Sequence, residues 1–178
     1  MRLLMIGIVL LTASAGAAAQ TQIKLAPGFR IGPRPVAPCS GADLSVRHVT
    51  DDAAMGGHRR TDYAFKNKSA IACTLKGYPR FELLNKAGGL LPKGRGVNSK
   101  QLFGDEAPRT PELVTIEPGK EATFQVYTND GGAGYTGKPC PMSSKVKITA
   151  PGTTRAFTLK DDIRTCQTPK VSVVFAGS

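Results

Sequence analysis

Several residue types that would point to a particular chemistry are scarce in this sequence. Tryptophan is absent, histidine occurs twice, and aromatic residues make up 6% of the 178 residues. No Cys-x-x-Cys pair and no Gly-x-Ser-x-Gly motif is present. A four-ligand metal site and a serine hydrolase centre therefore have little support. We expect no cofactor and no catalytic activity.

Long hydrophobic runs are also missing, apart from the N-terminus. Arg2 precedes an apolar run over 3–12, and small residues follow as far as Ala17-Ala18-Ala19. This order is typical of a secretory signal peptide. A membrane span needs about twenty apolar residues, twice what is present here. Residues 1–19 are therefore predicted to be a signal peptide, and the protein to be exported, periplasmic or extracellular, without a transmembrane segment.

Acidic residues are few relative to basic ones. The chain has 24 lysines and arginines against 13 acids, a net charge of +11. Signal cleavage would remove Arg2 and no acid, which leaves +10. Such a charge favours anionic partners such as envelope polymers, lipids or nucleic acid. The alternative is a diffuse, solvated charge, since no run of five or more lysines or arginines is present.

The segment after the signal peptide is rich in proline and lacks acids. Residues 20–38 contain four prolines and three basic residues. Proline disfavours a helix, and the segment has too few apolar residues to pack. We interpret 20–38 as a basic tether and 39–178 as one domain.

From Cys39 onward, apolar and polar residues alternate in short segments separated by turn residues. Thr61, Tyr63 and Phe65 alternate with polar or small residues, as do Ala122, Phe124 and Val126. Period-two patterns predict half-buried antiparallel strands. The whole pattern predicts an all-β, immunoglobulin-like antiparallel β-sandwich of seven to nine short strands. Two stretches, 86–111 and 129–141, are predicted to be long irregular loops because they are rich in glycine and proline.

The four cysteines predict two disulfides, since an even number in an exported chain is usually paired. A hairpin between 44–49 and 61–67 would bring Cys39 near Cys73. A second hairpin between 145–149 and 155–160 would bring Cys140 near Cys166. We therefore predict the bridges Cys39–Cys73 and Cys140–Cys166. Tyr78-Pro79 is predicted to form a rigid turn or bulge, with a cis bond as one option.

One block of sequence resembles a known family. Cys73-Thr74-Leu75-Lys76-Gly77-Tyr78-Pro79, preceded by Phe65-Lys66-Asn67-Lys68-Ser69, is similar to the DUF4232 family of bacterial extracytoplasmic domains. Ile116-Glu117-Pro118-Gly119 and the two late cysteines extend the match from Cys39 to the C-terminus. The resemblance implies an exported all-β domain without an assigned activity and supplies no catalytic residues. Many such proteins look like lipoproteins, but this one has no cysteine at the cleavage site.

The basic charge supplies the candidate binding residues. They are Lys93, Arg95 and Lys100 in the predicted loop 86–111, with Lys145 and Lys147 on the outer face of one strand. We expect them to contact an anionic envelope polymer, or a protein partner. Nucleic acid is not expected, because few aromatic residues are available for base stacking. We expect a monomer.

Two alternatives remain open. The first is a small metal-dependent or hydrolytic enzyme that uses His48 and His58, with Asp51 or Asp52 beside His58. The pairs Asp51-Asp52 and Asp161-Asp162 are otherwise predicted to lie in solvated turns, where adjacent carboxylates do not form a glycosidase cleft. The second alternative is an enzyme inhibitor that presents the loop 86–111.

Overall fold

The computed structural model describes residues 35–100, 110–131 and 136–177. The predicted signal peptide and the tether as far as residue 34 lie outside these ranges. The described end of the tether is tied to the domain, because the Thr74 amide donates to the Ala37 carbonyl at 2.9 Å. The backbone contacts of the domain thus begin slightly before Cys39.

The described chain is built from β-strands, with a single 3-10 turn at Met55–Gly57. The prediction of an all-β fold is confirmed, although the strands are more numerous than predicted. They are β1 (Leu44–Ala54), β2 (His58–Asn67), β3 (Cys73–Leu75), β4 (Arg80–Leu84), β5 (Leu90–Arg95), β6 (Val97–Asn98), β7 (Val114–Ile116), β8 (Glu121–Asn129), β9 (Lys145–Thr149), β10 (Ala156–Lys160), β11 (Lys170–Val171) and β12 (Phe175–Ala176).

The strands form two main sheets that pack face to face as a β-sandwich. The larger sheet has the order β1-β2-β8-β11-β6, and β12 also pairs with β8. The smaller sheet has the order β10-β9-β4-β5, and β3 pairs with β7 in a separate two-stranded sheet. All pairings between these strands are antiparallel except β11 with β6.

The core lies between the two main sheets and is filled by alternate residues of their strands. Tyr63, Phe65 and Phe124 from the larger sheet are fully buried, as are Phe81 and Ile148 from the smaller one. The rings of Tyr63 and Phe81 lie 5.7 Å apart across the sandwich. Residues at the intervening positions point away from the core, because successive side chains of a strand face opposite sides of the sheet.

Both predicted disulfides are present, with Cα atoms 4.8 Å apart in Cys39–Cys73 and 4.6 Å apart in Cys140–Cys166. The second bridge forms for the reason predicted. The antiparallel pairing of β9 with β10 continues beyond the strands to Met142 and Arg164, and this brings Cys140 close to Cys166. The first bridge has a different basis. The chain before Cys39 runs parallel to β3, with Pro38 paired to Thr74, and does not extend the β1–β2 hairpin.

Two local predictions were wrong. The stretch 86–111 is not a single loop, since it contains β5 and β6. Asp51 and Asp52 lie within β1 and not in a turn. Tyr78-Pro79 lies outside the strands, between β3 and β4, which agrees with the predicted turn, and of the two options for its peptide bond the trans form is found, since no cis bond occurs in the described chain.

Candidate functional site

The outward side of the smaller sheet carries a concentration of cations. Register places Thr158, Lys147, Glu82 and Arg95 in one row across its strands. Flanking rows add Arg80 on one side and the directly opposed pair of Lys145 and Lys160 on the other. We call this surface the basic face. Among the described residues, its acid is Glu82 and its cations are Arg80, Arg95, Lys145, Lys147 and Lys160.

The basic face forms because polar and apolar residues alternate along β4 and β9. Phe81 and Leu83 of β4 enter the core, as do Val146 and Ile148 of β9. The residues between them must therefore lie on the outer side of the sheet. This alternation was visible in the sequence for Lys145 and Lys147, which lie where they were predicted.

Glu82 is the organising residue of the basic face. It is 7% exposed, and its carboxylate accepts Lys147 at 2.6 Å and lies 3.4 Å from an Arg95 nitrogen. The hydrogen bond from Lys147 lowers the pKa of Glu82, and the charges of Arg95 and Arg80 act in the same direction. Glu82 is thus held ionised and fixes two of the cations. It is a site residue that the sequence analysis missed, although its register with Lys147 could have been found by pairing β4 with β9.

The other predicted binding residues are placed differently. Arg95 joins the basic face as part of β5. Lys93 lies in the irregular stretch of β5 at a positive φ of 57°, and its ammonium is 3.5 Å from the carbonyl oxygen of Cys166. Lys100 is exposed after β6, next to a stretch outside the described residues. The predicted set therefore divides, with Arg95, Lys145 and Lys147 together and Lys93 and Lys100 apart from them.

The two histidines do not form a common site. His48 pairs with Tyr63 in the β1–β2 ladder, whereas His58 pairs with Ala54. Along β2 these positions are about 17 Å apart and on opposite faces. His58 contacts Asn129, with Nδ1 and Nδ2 3.3 Å apart. Neither Asp51 nor Asp52 is paired with His58 in the ladder, so that part of the prediction was wrong.

Asp51 instead contacts several polar side chains at the edge of the larger sheet. Arg59 donates two hydrogen bonds to its carboxylate, at 2.5 and 3.3 Å, and the Thr61 hydroxyl donates at 2.7 Å. His48 Nε2 lies 3.3 Å from the same carboxylate. Burial alone would raise the pKa of Asp51, but the bonds from Arg59 and Thr61 outweigh it and the pKa is lowered.

The nearby Tyr63 links the two sheets. Its hydroxyl donates to Asp161, just after β10, at 2.6 Å. Burial and this hydrogen bond raise the pKa of Tyr63 strongly. Within the described ranges, no group of three His, Cys, Asp or Glu side chains is arranged to hold a metal ion. The polar group around Asp51 thus satisfies its own hydrogen bonds and acts as a structural tie.

Comparison with known proteins identifies the family. The model for "Domain of unknown function (DUF4232)" matches residues 39–175, so the chain belongs to the DUF4232 family. The sequence matches no curated protein. One similar solved structure is a β-glucosidase from Kluyveromyces marxianus, 13% identical, with a TM-score of 0.26. That match covers 71% of this chain and 15% of the other, so the chain spans a small part of that protein.

Two features bear on where the protein is found. Its disulfides agree with an exported protein, since such bonds persist in oxidising compartments. Within the described ranges, no helix has the length and apolarity needed to cross a bilayer.

Proposed function

We propose that this protein is a non-catalytic exported domain that binds an anionic polymer of the cell envelope through the basic face. The observation that carries the proposal is the gathering of five cations around one acid on the outer side of the smaller sheet. We place its action in the periplasm or at the cell exterior, as a monomer and without a cofactor.

The chemistry of the basic face supports a polyanion. Arg95 is 69% exposed at its side chain although it contacts Glu82, so most of its guanidinium donors face solvent. Arg80 and Lys160 are also exposed. Rows of cations separated by about 7 Å along a strand offer repeated contacts to a ligand with repeated negative charges.

Two other classes of function have less support. Nucleic-acid binders usually supply aromatic rings for stacking, and Phe81 and Phe157 of this sheet are turned toward the core. An enzyme centred on His48 would need a nucleophile or a metal, and the described surroundings of His48 supply an ion-paired carboxylate and a tyrosine ring.

The test is retention on beads that carry polyphosphate or poly-glutamate, measured over a salt series. The variant Arg80→Gln/Arg95→Gln/Lys145→Gln/Lys160→Gln removes four cations and leaves Lys147, because Lys147 neutralises the buried Glu82. Wild type should be retained at low salt and released as the screening length falls from about 10 Å at 0.1 M to about 3 Å at 1 M. The variant should elute at markedly lower salt.

A charge-matched control separates the basic face from net charge. Lys66→Gln/Lys68→Gln/Lys76→Gln/Lys120→Gln removes four exposed lysines from outside this face. It should retain most of the binding. Equal losses in the two variants would mean a diffuse charge effect, and no retention of wild type on either polymer would favour a protein partner.

A further inference from the structure

Lys145 and Lys160 stand directly opposite each other on neighbouring antiparallel strands. Side chains at such positions have Cβ atoms about 5 Å apart. Neither ammonium is ion-paired with a carboxylate among the described residues. Glu82 pairs with Lys147 and Arg95, and Asp161 accepts the Tyr63 hydroxyl. The rest of this row is apolar, with Leu84 and Leu90 on the next two strands.

The other half of the basic face is electrostatically different. Lys147 and Arg95 share the carboxylate of Glu82, so these three groups together carry a single net positive charge, and Arg80 in the flanking row brings this half to two. Lys145 and Lys160 carry two charges at directly opposed positions, and neither forms an ion pair with a described carboxylate. An incoming anion can therefore contact two cations at once at the lysine pair, with no ion-paired carboxylate between them.

Like charges placed directly opposite in a sheet destabilise it. An anion seated between the two ammonium groups would remove that repulsion and gain two charge-assisted hydrogen bonds. The pair therefore has a cost in the unbound domain that a ligand relieves, which is typical of a binding site and not of a surface selected for stability.

Building on the proposed function, we propose that Lys145 and Lys160 form the primary subsite of the basic face and hold one oxyanion group of the polymer between them. The group is a phosphate or a carboxylate. Lys147 and Arg95, fixed by Glu82, contact the next anionic group along the ligand. Lysine ammonium groups act as point charges, so the subsite selects charge more than planar geometry.

The decisive variant is Lys145→Gln/Lys160→Gln, compared with the matched control Lys76→Gln/Lys120→Gln. Affinity for polyphosphate and for poly-glutamate is measured by titration at low salt, and Tm by thermal unfolding without polymer. The pair variant should bind about tenfold more weakly than the control, as expected when two charged contacts of modest strength are lost. Its Tm should rise by about 1–3 °C, because repulsion is removed.

A second variant, Lys147→Gln, should change Tm in the opposite direction. Lys147→Gln leaves Glu82 buried without its closest partner, so Tm should fall while binding weakens less than in the pair variant. A tenfold loss of affinity for polyphosphate alone identifies the bound group as a phosphate, and a loss for poly-glutamate alone identifies it as a carboxylate. The same loss of affinity for both polymers means that the subsite selects its ligand by charge alone.

The outcomes keep this inference distinct from the proposed function. If the four-residue variant loses binding but Lys145→Gln/Lys160→Gln matches its control, the basic face binds the polymer and the lysine pair is not its primary subsite. A pair variant with unchanged or lower Tm would overturn the claim that the pair is repulsive before binding. If no basic-face variant affects retention, both proposals fail.

Discussion

Asn67 shows how a single side chain can hold the fold together. It is fully buried, and its amide donates to the carbonyls of Ile71 at 2.8 Å and Ile116 at 2.9 Å. Its oxygen accepts the Ser69 amide at 2.9 Å and the Ser69 hydroxyl at 2.8 Å. All of the hydrogen-bonding capacity of the amide is used inside the protein. In this chain the block Phe65-Lys66-Asn67-Lys68-Ser69 therefore has a structural role.

We predict that Asn67→Ala lowers the free energy of unfolding by about 3 kcal/mol, because several buried polar groups lose their partners together. Ser69→Ala, the matched control, removes a hydroxyl from a half-buried position and should cost about 1 kcal/mol. Urea unfolding of the three proteins measures both values. Equal costs for the two substitutions would contradict the central role assigned to Asn67.

Residue contacts were the least predictable level. The sequence placed Asp51 or Asp52 near His58, but a bulge between His48 and Thr50 shifts the β1–β2 register, and the strands continue to Ala54 and His58. A bulge inserts one residue and is not marked by composition at this position. Glu82 escaped notice for another reason: its closest partner, Lys147, comes from β9, which is distant in sequence, and Arg95 comes from β5, which was predicted to be a loop.

At the scale of strands, the hairpins with clear alternation were predictable and the irregular one was not. The β1–β2 and β9–β10 pairings follow from period-two patterns on both sides of a turn, and the β9–β10 hairpin led to the Cys140–Cys166 bridge for the reason predicted. β5 has no such pattern, since Pro92 and Gly94 interrupt it. It is a strand because tertiary contacts with β4 hold it in the sheet.

Gly94 shows why a glycine lies within β5. A Cβ there would come within 2.8 Å of the Leu83 carbonyl oxygen and 2.9 Å of the Leu91 carbonyl oxygen. Both contacts are with backbone, so the strand would have to move. Gly94→Ala is therefore expected to lower the free energy of unfolding by about 1–3 kcal/mol and to displace Arg95, which also weakens polymer binding.

The matched control for Gly94→Ala is Thr158→Ala, on the outer side of the same sheet, where a surface change should cost less than about 0.5 kcal/mol. Amide hydrogen exchange of β5 reports the local effect. Unchanged exchange at Arg95 in Gly94→Ala would show that β5 tolerates the added methyl group.

At the scale of the whole molecule, the ionisable groups predict that the free energy of unfolding falls at both acidic and alkaline pH. The pKa values of three carboxylates are lowered in the folded state, those of Glu82, Asp51 and Glu121. A lowered pKa adds stability that is present above the ordinary value near 4 and is lost as pH falls through the folded value. The net charge of +11 grows more positive over the same range, so repulsion adds to the loss.

Tyr63 should lower the free energy of unfolding at alkaline pH. Its pKa is raised well above the ordinary 10.0, because burial and the hydrogen bond to Asp161 favour the neutral hydroxyl. A raised pKa adds stability that is present below pH 10 and declines above it, because the unfolded chain can release that proton and the folded chain resists doing so.

Tyr63→Phe keeps the ring but has no proton to lose. It should be less stable than wild type at pH 7 by about 1 kcal/mol, for the lost hydrogen bond, and the gap should narrow or reverse between pH 10 and 11.5. Urea unfolding of both proteins from pH 3 to 11.5 gives the two curves, and parallel curves above pH 10 would show that the Tyr63 hydroxyl ionises as readily in the folded protein as in the unfolded chain.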